Sequence, residues 1–377
     1  MERSTGLSPI IKYTGGKEKE LPYIIPNLPE FDRYFEPFVG GGSVFMGVEA
    51  NEYYINDFSW ELTDLYKCIK TSDNQFFEYV GDIIKSWGLV KHLFLTSKKY
   101  LVDGIYSIFW KDVIRESRVK DMIDAYCEDY KDNIDCICPD SFKKTNWTFI
   151  QELKTNLFRK MKRMKKLDEN NTELDLMMAD DNIQTAIHSA LYMTYRTLYN
   201  DEKLTKQDRT LHCALYFFIR NYAYSGMFRY NDNGEFNVPY GGMGYNKKSL
   251  SSKTNYYKSD EVMEHFNKTS IFNLDFEEFL KKCNPTENDF IFLDPPYDST
   301  FSTYAQNEFT KDDQIRLANY LINECKAKWM VDIKYTDFIY DLYNKPGIRI
   351  VTFDKKYQVN FMGRNDTNVT HIMIMNY

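Results

Sequence analysis

The chain of 377 residues is long for one domain and short for three, so one large or two medium domains are expected. It is 43% hydrophobic, ample for a core, and its net charge of −7 argues against a protein coated in basic residues, although partners follow local patches and not the total. Seven scattered cysteines give no disulfide framework, and the lone pair Cys136 and Cys138 argues against a zinc or other metal site. Residues 1–10 hold no signal-peptide core, and no apolar run nears the roughly 20 residues that span a bilayer. A soluble, cytoplasmic protein with no membrane partner is expected, its thiols reduced.

The first motif is Ile11-Lys12-Tyr13-Thr14-Gly15-Gly16-Lys17, whose glycines permit a tight turn or a close approach to a ligand. It is not a P-loop, because the G-x-x-x-x-G-K-[ST] spacing is missing. Residues 18–25 read as a helix. Residues 32–38 then read as a strand, Val39-Gly40-Gly41-Gly42-Ser43 as a glycine turn and residues 44–50 as a helix. Strand, glycine turn and helix begin a dinucleotide-type βαβ unit. The next strand, Tyr53-Tyr54-Ile55-Asn56-Asp57, ends on an acid about 20 residues after Glu36, near the interval at which such folds place a ribose-binding carboxylate. No G-x-G-x-x-G clamp is present, so a nucleoside without a pyrophosphate fits better than a dinucleotide.

Residues 59–70 read as a helix, with Ser59 as N-cap and Leu62, Leu65, Tyr66 and Ile69 on one face. From about residue 71 to about 270 the alternation of strand and helix is lost. This middle reads as largely helical, with polar breaks at Asp168-Glu169-Asn170-Asn171 and Tyr199-Asn200-Asp201. Within it, Lys143, Lys144, Lys154, Arg159, Lys160, Lys162, Arg163, Lys165 and Lys166 are opposed only by Glu152. They form either a solvated face on a core helix or a phosphate-tracking surface. Residues 220–242 mix Arg, Asn, Gly and aromatics between turn signals at Asn233-Gly234 and Gly241-Gly242. Arg and Asn suit base edges and aromatics suit wedging; a surface hairpin with buried tyrosines would read the same way.

The α/β pattern then resumes. Residues 270–276 read as a strand ending in Asp275-Phe276, and residues 277–282 as a helix. Phe290-Ile291-Phe292-Leu293 has the pattern of a strand buried on both faces. Asp294-Pro295-Pro296-Tyr297 stops it, since neither proline can donate to a ladder. In an open α/β sheet this carboxyl edge is where ligands bind. A polar loop over 298–309, a capping-box start at Thr310-Lys311-Asp312-Asp313, a helix to about 326, a strand over 327–333, a helix over 337–343 and a strand pair at 347–353 and 369–376 complete the chain.

Four of these pieces, in this order, resemble the Dam-type (D12 class) DNA adenine N6-methyltransferases: Tyr13-Thr14-Gly15-Gly16-Lys17, Phe35-Glu36-Pro37-Phe38-Val39-Gly40-Gly41-Gly42-Ser43, residues 221–239, and Asp294-Pro295-Pro296-Tyr297. The resemblance implies an α/β fold. Residues 1–70 and 270–377 would form a Rossmann-like S-adenosylmethionine-dependent methyltransferase sheet, and residues 71–269 a large, mainly helical inserted DNA-recognition domain. It implies S-adenosylmethionine as cofactor, with Tyr13 and Lys17 covering it and Glu36, Phe38 and Gly40 on its methionine side. Asp57 would bind its ribose, and Asp275 and Phe276 its adenine. Asp294 and the Pro295 carbonyl would accept the protons of an adenine N6, Pro296 would stiffen the edge, and Tyr297 would stack on the flipped base. Double-stranded DNA is the implied partner, through Asn221, Ser225, Arg229, Asn231 and Tyr240; a cognate restriction endonuclease and a solitary role are both left open. Two departures stand out. Residues 71–210 exceed the family's compact helical domain, and Ser225 stands where readers of GATC commonly carry asparagine. Rival readings are an RNA or protein-glutamine methyltransferase, which for glutamine usually carries Asn at the position of Asp294, and a silent nucleic-acid-binding module.

Overall fold

The computed structural model describes residues 4–13, 15–142, 145–169, 176–297, 309–356 and 368–377. Thr14, Lys143, Lys144, the break at Asn170-Asn171 and the loop 298–308 lie outside them. The chain divides into two units, Met1–Thr71 with Tyr257–Tyr377, and Ser72–Tyr256.

The first unit is built on one sheet of seven strands: β1 (Arg33–Glu36), β2 (Glu52–Asn56), β3 (Thr269–Phe272), β4 (Phe290–Leu293), β5 (Lys328–Lys334), β6 (Arg349–Lys356) and β7 (Asn368–Met375). Their order is β3-β2-β1-β4-β5-β7-β6. β1 to β5 run parallel, and β7 is antiparallel to both β5 and β6. The order reverses between β1 and β4, which pair at Tyr34 with Phe290 and Phe35 with Ile291. All four residues of β4 are buried, as its unbroken apolar run requires of a strand covered on both faces. One face packs Phe279, Leu280, Leu317, Leu321 and Tyr343 against Phe35, Ile291, Leu293, Trp329 and Val331. The other packs aromatics, with Tyr34 edge-on to Tyr53 and tilted against Phe290.

Several boundaries move from their sequence reading, each for a local reason. The helix read over 44–50 ends at Gly47, because Val48 turns extended and bridges Ser4. β3 ends at Phe272, because Asp275 is the N-cap of the helix Phe276–Cys283: its carboxylate accepts from Glu277 N at 3.0 Å and Glu278 N at 3.4 Å. Thr310 and Asp313 form the reciprocal capping box expected at the start of the helix Lys311–Asn323.

The second unit is helical. Asn74–Lys98, Thr145–Glu169, Leu176–Tyr199 and Arg209–Tyr222 are its main helices. Asp73 and Asp208 cap two of them through Phe76 N and Leu211 N. A π-helical turn, Lys99–Tyr106, extends the first. Among the described residues no helix is long and apolar enough to cross a membrane.

One side chain fixes the carboxyl edge of the sheet. Asn56, 1% exposed, donates from Nδ2 to Pro37 O and Leu274 O, both at 3.0 Å, and accepts from Leu274 N at 2.9 Å. It thereby joins the ends of β1, β2 and β3. Asn56→Ala would leave three buried or half-buried backbone groups without this partner, so a loss of about 2 kcal/mol is expected in urea unfolding; a midpoint unchanged from the parent would show that water replaces these bonds.

Candidate active site

At the reversal between β1 and β4 the first unit contains a cavity of about 370 Å³. Its wall includes Tyr13, Lys17, Glu36, Phe38, Gly40, Asp57, Asp275, Phe276, Asp294, Pro295, Pro296 and Tyr297. All the residues expected to serve cofactor or catalysis are therefore gathered here, although they come from both ends of the chain.

The glycine turn is shaped by close approach. A Cβ on Gly41 would lie 2.4 Å from Ile11 O, and one on Gly42, whose φ is +77°, would lie 2.6 Å from the Tyr66 hydroxyl. That hydroxyl donates to Gly40 O at 2.9 Å. The Tyr13 ring lies over Gly40, with Cδ1 3.3 Å from where a Cβ would stand.

Charge is unevenly compensated around the cavity. Lys17 is buried, and its Nζ lies 2.8 Å from Asp294 Oδ1 and 3.1 Å from the Tyr297 hydroxyl. Burial alone would lower its pKa, but Asp294 and then Asp332 more than offset this and hold it above its ordinary value. Lys17, itself on the cavity wall, thus grips the Asp294-Pro295-Pro296-Tyr297 motif at both ends. Arg316 forms a fork on Asp275, 2.8 Å to each oxygen, and reaches Asp313 Oδ1 at 3.0 Å and Glu277 Oε2 at 3.1 Å. Burial would raise the Asp275 pKa, and the bonds to Arg316 bring it below its ordinary value. Glu36 and Asp57 have no such cation among the described residues. Glu36 accepts from Tyr34 Oη at 2.7 Å and burial holds its pKa well up. Asp57 accepts from Gly40 N at 3.0 Å and Ser59 N at 2.9 Å, and burial pushes it up to about 6.

An aromatic corner completes the wall. Phe38, Phe276 and Phe309 lie with centroids 5.5 to 5.7 Å apart, and the Arg316 guanidinium stands 4.3 Å from the Phe276 ring centre. The Pro-Pro step is tied by Gln314 Nε2, which donates to Pro296 O at 2.8 Å. Phe309, Gln314 and Arg316 were not found by sequence reasoning, and nothing in their local pattern marks them. Asp332 carried a signal, being an acid inside the apolar run Trp329 to Ile333.

A family model describing the D12 class N6 adenine-specific DNA methyltransferases matches residues 13–170 and 108–359. The chain belongs to this class. It is similar to the type II methyltransferase M.CviBI of Paramecium bursaria Chlorella virus NC1A, 33% identical over 203 residues that cover 50% of this chain and 72% of the relative. It is also similar to the type II methyltransferase M.MjaIII of Methanocaldococcus jannaschii, at 24% identity covering 98% and 99% of the two chains. The DNA adenine methylase of Serratia marcescens is 20% identical over 95% of each chain. The seven-stranded sheet accords with the S-adenosylmethionine-dependent methyltransferase fold expected from sequence.

In the second unit the five residues expected to meet DNA separate into two groups. Asn221 is 4% exposed and donates to Phe217 O within its own helix; Tyr240 is 8% exposed, bonded to Asn246 Oδ1 and packed on Trp87 and Tyr192. Both side chains are buried and committed to bonds and packing within the unit. Ser225, Arg229 and Asn231 lie on a loop pinned by the bonds Tyr224 N to Pro239 O and Asn237 N to Arg229 O. Ser225 and Arg229 are exposed, and Ser225 has φ +53°. Tyr224, 46% exposed beside it, is an aromatic the sequence did not single out. Three side chains of the basic segment are paired with acids: Lys154 with Asp124, Lys162 with Glu116 and Lys165 with Asp112.

Asp57 makes a pH prediction. An unfolded Asp titrates near 3.8, so as pH rises from there through about 6 the native state holds a proton that the unfolded chain has released. Stability should therefore fall with rising pH in that window, and Asp57→Asn should flatten the slope. Urea midpoints that keep the parent's slope in the variant would contradict the assignment.

Proposed function

We propose that this enzyme transfers the methyl group of S-adenosylmethionine to N6 of an adenine flipped out of double-stranded DNA, at a specific site. One observation carries the reading: Asp294 stands at the carboxyl end of β4, anchored by Lys17, on the wall of a cavity where Glu36 and Asp57 have no paired cation among the described residues. S-adenosylmethionine, when bound, supplies an electrophilic methyl group on a sulfonium.

The cavity residues fit that cofactor. Glu36 and the Phe38 face favour a cation. Asp57 is placed to accept ribose hydroxyls, and the Phe276 corner, braced by Arg316, to receive a flat heterocycle beside Asp275. The same surplus of acid disfavours a phosphate-bearing dinucleotide. Gly40 and Gly41 bring backbone to the cavity wall beside Tyr13.

The adenine N6 lone pair is delocalised into the ring and attacks poorly. The Asp294 carboxylate and the Pro295 carbonyl accept the two N6 protons and localise that pair. Because Gln314 holds Pro296 O, the Pro295 carbonyl is the one left to the substrate. Tyr297 offers its ring to the extruded base, and much of the rate comes from positioning. In the second unit, Ser225, Arg229 and Asn231 are assigned to DNA, Arg229 to a base edge and Tyr224 to a wedge between steps. The type II names of two relatives above support pairing with a cognate restriction endonuclease.

Transfer of labelled methyl to genomic DNA, with modified bases mapped by sequencing, tests the proposal. Asp294→Ala is expected to abolish transfer while calorimetric cofactor binding persists; a fully active variant would sink the assignment. Arg229→Ala should lose about 1–3 kcal/mol of discrimination at one base position. Unchanged affinity and sequence choice would remove Arg229 from recognition.

A further inference from the structure

Asp332 is a fully buried acid that does not line the cavity. It sits on β5, one residue beyond Val331, which pairs with Leu293 at the end of β4. A buried carboxylate is costly unless it is paired. Its carboxylate lies 3.7 Å from Lys17 Nζ, and its carbonyl accepts from the same atom at 3.4 Å. On its other side, His371 Nδ1 lies 3.4 Å from Asp332 Oδ1. His371 comes from β7, where it pairs with Lys334, so it faces Asp332 diagonally across the ladder. The buried His371 ring also meets the Tyr297 ring edge-on at 5.7 Å. Lys17, Asp332, His371 and Tyr297 thus close a ring of contacts behind Asp294.

We infer that Asp332 is a positioning residue for methyl transfer, acting through Lys17 to fix the Asp294 carboxylate and to leave its negative charge available to the substrate amine. This rests on the function proposed above. An ammonium paired with Asp294 alone would hold that carboxylate in place but weaken it as an acceptor. A second carboxylate on the far side of Lys17 shares the cation and leaves one negative charge in surplus. Asp294, 21% exposed, presents that surplus to the cavity, whereas Asp332 is dry. His371 keeps Asp332 turned toward Lys17.

The test is Asp332→Asn, which keeps size and an amide oxygen near Lys17 but removes the charge. With saturating S-adenosylmethionine and DNA, the single-turnover methylation rate should fall about tenfold to a hundredfold. Affinities for cofactor and DNA should stay within about twofold of the parent, a split that a merely structural defect would not produce. Should Asp332→Asn not fold, His371→Gln carries the test, with the same slow step and unchanged binding expected. A parental rate in the folded variant, or a slowing fully accounted for by weaker binding, would overturn the inference. A parent enzyme that methylates no adenine would instead strike the proposed function.

Discussion

The carboxyl edge of β4 depends on one ammonium group. Lys17 Nζ touches Asp294, Tyr297 and Asp332, drawing together the loop before β1, the end of β4 and the interior of β5. Hydrophobic burial is non-directional and cannot set the angle of a carboxylate. A buried cation with charged partners can, because any displacement leaves a charge in a dry environment. The two glycines ahead of Lys17 follow from this. The chain must bring a long side chain under the sheet edge, where Gly15 adopts φ +83° and a Cβ on Gly16 would crowd Ser43.

The reversal of strand order supplies the space that this anchor governs. At that point the loops after β1 and β4 turn to opposite sides, and Asn56 ties the β1 end to those of β2 and β3. Among the described residues the cavity between them carries five acids, Glu36, Asp57, Asp275, Asp294 and Asp313, and two bases. Lys17 and Arg316 are already committed to Asp294, Asp275 and Asp313. Burial raises the pKa values of Glu36 and Asp57, and that shortage leaves neither with an ionic counterweight among the described residues. A cationic ligand relieves it, and an anionic one would make it worse.

What could be read from the sequence was what is local or sequential. The buried strand β4 was legible because four apolar residues end abruptly at two prolines, and the capping box at Thr310 because its partners lie three residues apart. The cavity residues were legible as motifs. The contacts between those motifs were not. Lys17 and Asp294 are distant in the chain, and no periodicity predicts that their side chains meet. Asp275 shows the same gap from the other side: its place at the end of a strand-like run concealed a helix cap and an arginine fork, both of which need the fold to exist.

The second unit shows why a charge run is a weak guide. Read along the chain, the basic segment has one opposing acid, Glu152. In space, the helix Glu116–Asp129 supplies Glu116 and Asp124, and the turn before it supplies Asp112. Each pairing is a surface contact worth about 1 kcal/mol or less, and together they commit three of the basic side chains to neighbouring acids that the linear order does not reveal. The aromatic loop reverses that lesson. Asn221 and Tyr240 had the right chemistry for DNA and are spent on packing and helix bonds, while Tyr224, Ser225 and Arg229 face solvent. Composition named the loop; only burial could say which of its side chains remain available to a duplex.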